Sequence, residues 1–110
     1  MRNLVGNDRS FFAQCRPKAT WKTLYTARGG EVLYYINVAN VGITDCYWSL
    51  CISTGNKSYG KSNALVWHGE IDQDENDVWG YQIPLVQGQK IGVYSTEPSA
   101  LNFTVYGVFA

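Results

Sequence analysis

From about residue 20 onward the chain alternates apolar and polar positions with a period of two. Val32, Tyr34, Ile36 and Val38 alternate with Leu33, Tyr35, Asn37 and Ala39; Cys46, Trp48, Leu50 and Ile52 oppose Tyr47, Ser49, Cys51 and Ser53; Leu101, Phe103 and Val105 oppose Asn102, Thr104 and Tyr106. Successive side chains of an extended backbone point to opposite sides, so this period predicts strands with one buried face. Shorter candidates run from Trp21 to Thr26, Ala64 to His68, Val78 to Ile83 and Lys90 to Ser95, each bounded by Gly, Pro, Asn or Asp. No segment carries a 3.6-residue apolar stripe of helical length. About seven short strands in so short a chain predict an all-β, two-sheet antiparallel β-sandwich of jelly-roll or Greek-key type, because each sheet has one apolar face that another must cover.

Residues 1–20 do not follow the alternation. They carry Leu4, Val5, Phe11 and Phe12 without a sustained period, and an extended segment cannot bury its own apolar side chains. It either adds an edge strand to the sandwich or lies on a neighbouring molecule. The expected organisation is an extended N-terminal arm, 1–20, followed by a sandwich domain, 21–110.

Composition sharpens this picture without redirecting it. With 110 residues, 45% hydrophobic and only 16% charged, the chain has material for one core and no disordered character. Its formal net charge is zero, so no overall field draws it to nucleic acid or an anionic membrane. The charge is nevertheless segregated. Arg2, Arg9, Arg16, Lys18, Lys22 and Arg28 stand against Asp8 alone in the first 28 positions, whereas Glu70, Asp72, Asp74, Glu75 and Asp77 crowd into one short stretch. The opening MRNLVGNDRS lacks the apolar run of a secretion signal, so a soluble protein assembled in the cytoplasm is the expectation. Cys15, Cys46 and Cys51 are odd in number. Cys46 and Cys51 lie about 16 Å apart along one extended run, too far for a disulfide, which favours reduced, buried thiols.

Candidate chemistry is sparse. Gly55 to Ser62, GNKSYGKS, satisfies the phosphate-loop formula G-x-x-x-x-G-K-[ST]. A phosphate site needs a following helix to aim its N–H groups, and the β-prone stretch ending at Gly69 does not provide one, so a hairpin loop is expected. Asp72, Asp74 and Asn76 open like a calcium loop, yet Asp77 replaces the required Gly and Ile83 stands where the closing Glu belongs. His68 is the single histidine, which excludes a multi-His metal site and leaves any Ser-His-Asp triad dependent on it. Trp21, Trp48, Trp67 and Trp79 could stack on sugars or bases, though in alternating strands large aromatics mostly fill the space between sheets. Asn56 and Asn102 fit the glycosylation formula, which carries no meaning without secretion. No catalytic, cofactor or metal residues are assigned.

From Trp21 onward the chain resembles small β-sandwich domains of tailed-bacteriophage structural proteins. The landmarks are Leu24-Tyr25-Thr26 entering the glycine turn Ala27-Arg28-Gly29-Gly30, a strand ending Asn37-Val38-Ala39-Asn40, the step Pro84-Leu85-Val86-Gln87-Gly88-Gln89-Lys90-Ile91, and the closing Phe103-Thr104-Val105-Tyr106-Gly107-Val108. Gln89 stands where Asp is common and the glycine turn lacks its Pro, both matters of turn chemistry. The resemblance implies a non-enzymatic virion protein, commonly a homo-trimer, that binds the major capsid protein or other virion subunits as a cement or decoration protein. A tail adaptor or fibre protein of the same fold, and a glycan-binding module, are the alternatives. Arg2, Arg9 and Arg16 would then make charge contacts, Leu4, Val5, Phe11 and Phe12 would be apolar anchors, and Glu70, Asp72, Asp74, Glu75 and Asp77 would form a second contact surface.

Overall fold

The computed structural model describes residues 10–55 and 57–109. Among the described residues nine strands follow in order: β1 Ser10–Cys15, β2 Lys22–Thr26, β3 Glu31–Asn40, β4 Cys46–Ser53, β5 Ala64–Ile71, β6 Asn76–Trp79, β7 Ile83–Pro84, β8 Lys90–Ser95 and β9 Leu101–Phe109. They form two antiparallel sheets. The five-stranded sheet runs β1-β9-β3-β6, with β7 continuing beside β6 along the same edge of β3, and the four-stranded sheet runs β2-β8-β4-β5. The pairing is nested: first strand with last, β2 with β8, β3 with β6, β4 with β5, falling alternately in the two sheets. This is the order of a jelly roll.

The core lies where the apolar faces meet. Leu33, Ile36 and Val38 of β3 and Leu101, Phe103 and Val105 of β9 face Trp48 and Leu50 of β4 and Ile91 and Val93 of β8, all buried. Trp48 and Phe103 bridge the sheets with ring centroids 6.0 Å apart.

Register shifts interrupt β2, β3 and β5, and two of these bulges correct the plain alternation. Opposite β9, Leu33 pairs with Gly107 and Tyr35 with Tyr106, so Tyr34 is an extra residue. Before it the inward face is Glu31 and Leu33; after it, Ile36, Val38 and Asn40. The expected set Val32, Tyr34, Ile36, Val38 is therefore split, because one inserted residue flips every side chain on one side of the bulge. The second bulge lies between β4 and β5. Trp48 pairs with Gly69 and Leu50 with Val66, which leaves Trp67 and His68 opposite Ser49 alone. His68 takes the left-handed φ of 54° that such an insertion requires.

The corner between β2 and β3 is locked by a buried carboxylate. Glu31 is 1% exposed, and it accepts hydrogen bonds from the Tyr25 hydroxyl at 2.6 Å and from the Arg28 and Gly29 amides, each at 2.7 Å. Gly29 and Gly30 supply the positive φ values of 107° and 89° that let the turn close over it. The Ala27 amide also donates to the Gln89 carbonyl at 2.8 Å, and the Gly88 amide to the Ala27 carbonyl at 3.0 Å. The glycine turn and the Pro84–Ile91 step, two separate landmarks of the sequence, are thus one structural corner.

Candidate functional site

Arg2, Leu4, Val5 and Arg9 lie outside the described residues. Of the remaining arm, Ser10–Cys15 is paired with β9 from Ser10 opposite Val108 to Cys15 opposite Phe103. This is the edge strand that the sequence left open as one of two possibilities, and it draws this part of the arm into the sheet. The alternation of β1 then separates its two phenylalanines. Phe11 turns inward, stacked on Tyr25 at 4.6 Å and edge-on to Phe109 at 5.9 Å; as a core residue it cannot be an exposed anchor. Phe12 turns outward and is 64% exposed. Arg16 follows the strand, exposed.

The acidic stretch forms a braced loop. The Asp72 amide donates to Glu75 Oε1 at 2.7 Å and the Glu75 amide to the Asp72 carbonyl at 3.0 Å. Asp74 takes a left-handed φ of 66° in the turn between them. The loop is tied to the body through the Asn40 amide, which donates to the Glu75 carbonyl at 2.9 Å, and the Gln73 amide, which donates to Asp45 Oδ1 at 2.8 Å. Asp45 thereby joins the acids from the β3–β4 loop, an addition that no local pattern in the sequence announces. The negative charges of Glu75, Asp45 and Asp77 push the Asp72 carboxyl above its ordinary range. Among the described residues no group of three or more His, Cys, Asp or Glu side chains is placed to hold a metal ion.

The phosphate-loop match folds back over the four-stranded sheet. It ends in a single 3-10 turn, Lys61–Asn63, too short to present a row of N–H groups to a phosphate. Its role in the fold is cover. The Tyr59 ring lies on Gly92, where an added Cβ would overlap it, and the Tyr59 hydroxyl meets Thr23 Oγ1 at 2.6 Å. The Cys51 thiol donates to the Gly60 carbonyl at 3.3 Å and the Ser53 hydroxyl to the Lys57 carbonyl at 2.5 Å. Cys51 and Ser53, on the outward side of β4, are buried beneath this cover, whereas Tyr47 at the other end of that side is exposed. Burial raises the thiols of Cys15, Cys46 and Cys51 above their ordinary value, so none is an activated thiolate.

The four tryptophans divide between core and surface. Trp48 is in the core and Trp79 packs against it. Trp21 and Trp67 sit on the outside of the four-stranded sheet, with Trp21 5.4 Å from Tyr59, 5.4 Å from Tyr94 and 6.3 Å from Trp67. Trp67 stacks in turn on His68 at 4.7 Å and 16°. Neighbouring rings thus take up part of each indole, while Trp67 stays 38% exposed. His68 also donates its backbone N–H to Ser49 Oγ at 3.1 Å.

The outside of the five-stranded sheet is different in kind. Phe12 pairs with Tyr106 and Tyr106 with Tyr35, giving an aromatic row across three strands. Beside it Gln14, Thr104, Asn37 and Val78 form a second row. Gln14 Nε2 donates to Thr104 Oγ1 at 3.2 Å, and Asn76 Nδ2 to Asn37 Oδ1 at 3.2 Å. Tyr35, Asn37, Val78 and Thr104 line a shallow depression of about 430 Å³. Neither row contains a charged side chain.

No protein-family model matches the sequence, and no curated protein matches it. Solved structures share its fold. A chain of the acid-stable capsid of Helicobacter pylori bacteriophage KHP30 superposes with a TM-score of 0.62 at 10% identity, covering 91% of this chain and 87% of that one. The globular domain of the zebrafish complement protein C1qA superposes with a TM-score of 0.53 at 12% identity, covering 92% and 96%. At these identities the likeness is one of fold: the chain is a two-sheet β-sandwich of a kind found in a phage capsid and also outside viruses.

Proposed function

We propose that this chain is a non-enzymatic structural protein of a bacteriophage particle, a capsid cement or decoration protein that assembles in the host cytoplasm and binds neighbouring capsid subunits. The observation that carries the reading is the end-to-end likeness of fold to a phage capsid chain, which agrees with the resemblance of the sequence landmarks to phage structural domains. The site geometry supports adhesion over chemistry. His68 stacks on Trp67 in an exposed bulge, the phosphate-loop formula forms a cover over the sheet, and the buried thiols are held protonated.

In this role the braced acidic loop, with Glu70, Asp72, Asp74, Glu75 and Asp77 joined by Asp45, docks on a basic surface of a capsid subunit. The crowding that raises the Asp72 carboxyl is relieved when cations are brought against it. Arg2, Arg9 and Arg16 contact an acidic surface, with Leu4, Val5 and Phe12 as apolar anchors. A protein that binds only the assembled shell stabilises that shell by mass action.

The test is addition of purified protein to phage heads lacking it. Saturable binding and a higher temperature of head disruption are expected, both weakened by raised salt or by neutralising Asp72, Asp74, Glu75 and Asp77 together. Heads that bind none of the protein, with the label instead on tails or on no particle, refute the cement role.

A further inference from the structure

The outside of the five-stranded sheet has a composition that an ordinary solvent face does not. About a quarter to a third of a soluble surface is charged, whereas the charged strand residues of this sheet are Glu31, buried at the β2–β3 corner, and Asp77, half-buried at the end of β6. Large apolar and aromatic groups are exposed there instead: Phe12 at 64%, Val78 at 67%, Tyr34 and Tyr35 at about 40%. A contiguous apolar area without charge marks a protein interface.

We propose that this face binds the same face of a second copy of the chain, with Phe12 of one copy seated in the depression between Tyr35, Asn37, Val78 and Thr104 of the other. Knob and hole are both present on one surface, which is the requirement for a self-complementary contact between identical subunits. A capsid partner selected by charge would find little to read on the strands of this face, whose charged residues are Glu31 and Asp77 alone. An identical face meets it without like-charge opposition, and the Gln14, Thr104 and Asn37 row offers both donors and acceptors to its own copy. Strands spaced about 4.8 Å apart and about 3.3 Å long per residue give roughly 500 Å² per copy, which side-chain relief raises towards the roughly 600–1,000 Å² per partner of a specific interface. Such a contact is two-fold and closes at two copies, a dimer where the sequence resemblance implies a trimer; it rests on the proposed virion role for its purpose.

The experiment measures the mass of the full chain by light scattering for the wild type, Phe12→Glu, Val78→Lys and Ile43→Lys. Ile43, 85% exposed in the β3–β4 loop, is the control for adding charge elsewhere. Expected are an oligomer for the wild type and Ile43→Lys, the mass of one chain for the other two with unchanged circular dichroism, and renewed association on mixing Phe12→Glu with Val78→Lys. A single-chain wild type, an undiminished mass in either face variant, or failure of the mixture to associate overturns the inference. Binding to phage heads is scored separately. An oligomeric wild type that binds no particle leaves this face standing and refutes the virion role instead.

Discussion

The ring of Phe11 fills the space that a side chain at position 107 would need: a Cβ built on Gly107 overlaps both the Phe11 ring and the Val32 carbonyl. First strand and last strand are thus fitted to each other by one large residue over one absent side chain. Gly107→Ala should destabilise the fold by about 1–3 kcal/mol through overpacking. A denaturation midpoint equal to that of the wild type would contradict this contact.

Phe11 and Phe12 are adjacent in sequence and opposite in consequence. Phe11→Ala should cost about 3–5 kcal/mol, a large part of the stability of a domain this size, while Phe12→Ala should stay within about 0.5 kcal/mol. Chemical denaturation of the two variants side by side distinguishes the inward residue from the outward one.

Glu31 makes the β2–β3 corner sensitive to acid. Burial opposes its charge, but the Tyr25 hydroxyl and the backbone amides of the turn outweigh that and hold its carboxyl below the ordinary carboxylate range. A depressed folded pKa contributes stability that is present above the unfolded value of about 4.3 and lost as pH falls through the folded value. Glu31→Gln should therefore lower Tm most at neutral pH, by the equivalent of about 1.5–3 kcal/mol for a buried charged acceptor, and the gap from wild type should narrow in acid. A gap that is constant with pH would count against this role.

Tyr25 predicts the opposite limb. Burial and the facing Glu31 carboxylate push its hydroxyl up to about 12. A raised folded pKa contributes stability fully present below the unfolded value of about 10 and lost as pH rises towards 12. Tyr25→Phe should remove this alkaline dependence, which Tm measured between pH 9 and 12 will read.

Gly92→Ala should displace Tyr59 from the outer side of the four-stranded sheet and loosen the cover over Cys51. The expected readout is a change in Trp21 fluorescence, since Trp21 lies 5.4 Å from Tyr59, together with faster reaction of Cys51 with a thiol reagent. Unchanged thiol reactivity would show that the loop does not depend on that contact. Lys61→Ala, by contrast, should leave both signals as they are.

Much of the architecture is legible in the residues. Alternation places β4 and β9 with their inward sets Trp48 and Leu50, Phe103 and Val105, because a two-residue period has one geometric meaning, and the turn residues that bound Lys90 to Ser95 mark β8. The bulges at Tyr34 and at Trp67–His68 are not legible: an extra residue in one strand is visible only against its partner, and the apolar Tyr34 fits the uninterrupted pattern as well as the real one. Phe11 is similar, since its burial depends on Gly107 nearly a whole chain length away. Of the candidate contact residues, the acidic loop is readable as a run, but Asp45 joins it only through the fold. The charge-free sheet face is assembled from four strands that are individually unremarkable.

The nested pairing also sets a schedule for folding. β9 lies between β1 and β3, so until Leu101–Phe109 has been made, β1 has no strand to pair with and Phe11 has only Tyr25 of β2 to pack on. Native contacts of such wide sequence separation form slowly. The growing chain must hold its aromatic side chains in a half-built state until β9 emerges, and loss of β9 alone should leave a product fit for aggregation and degradation instead of a smaller sandwich.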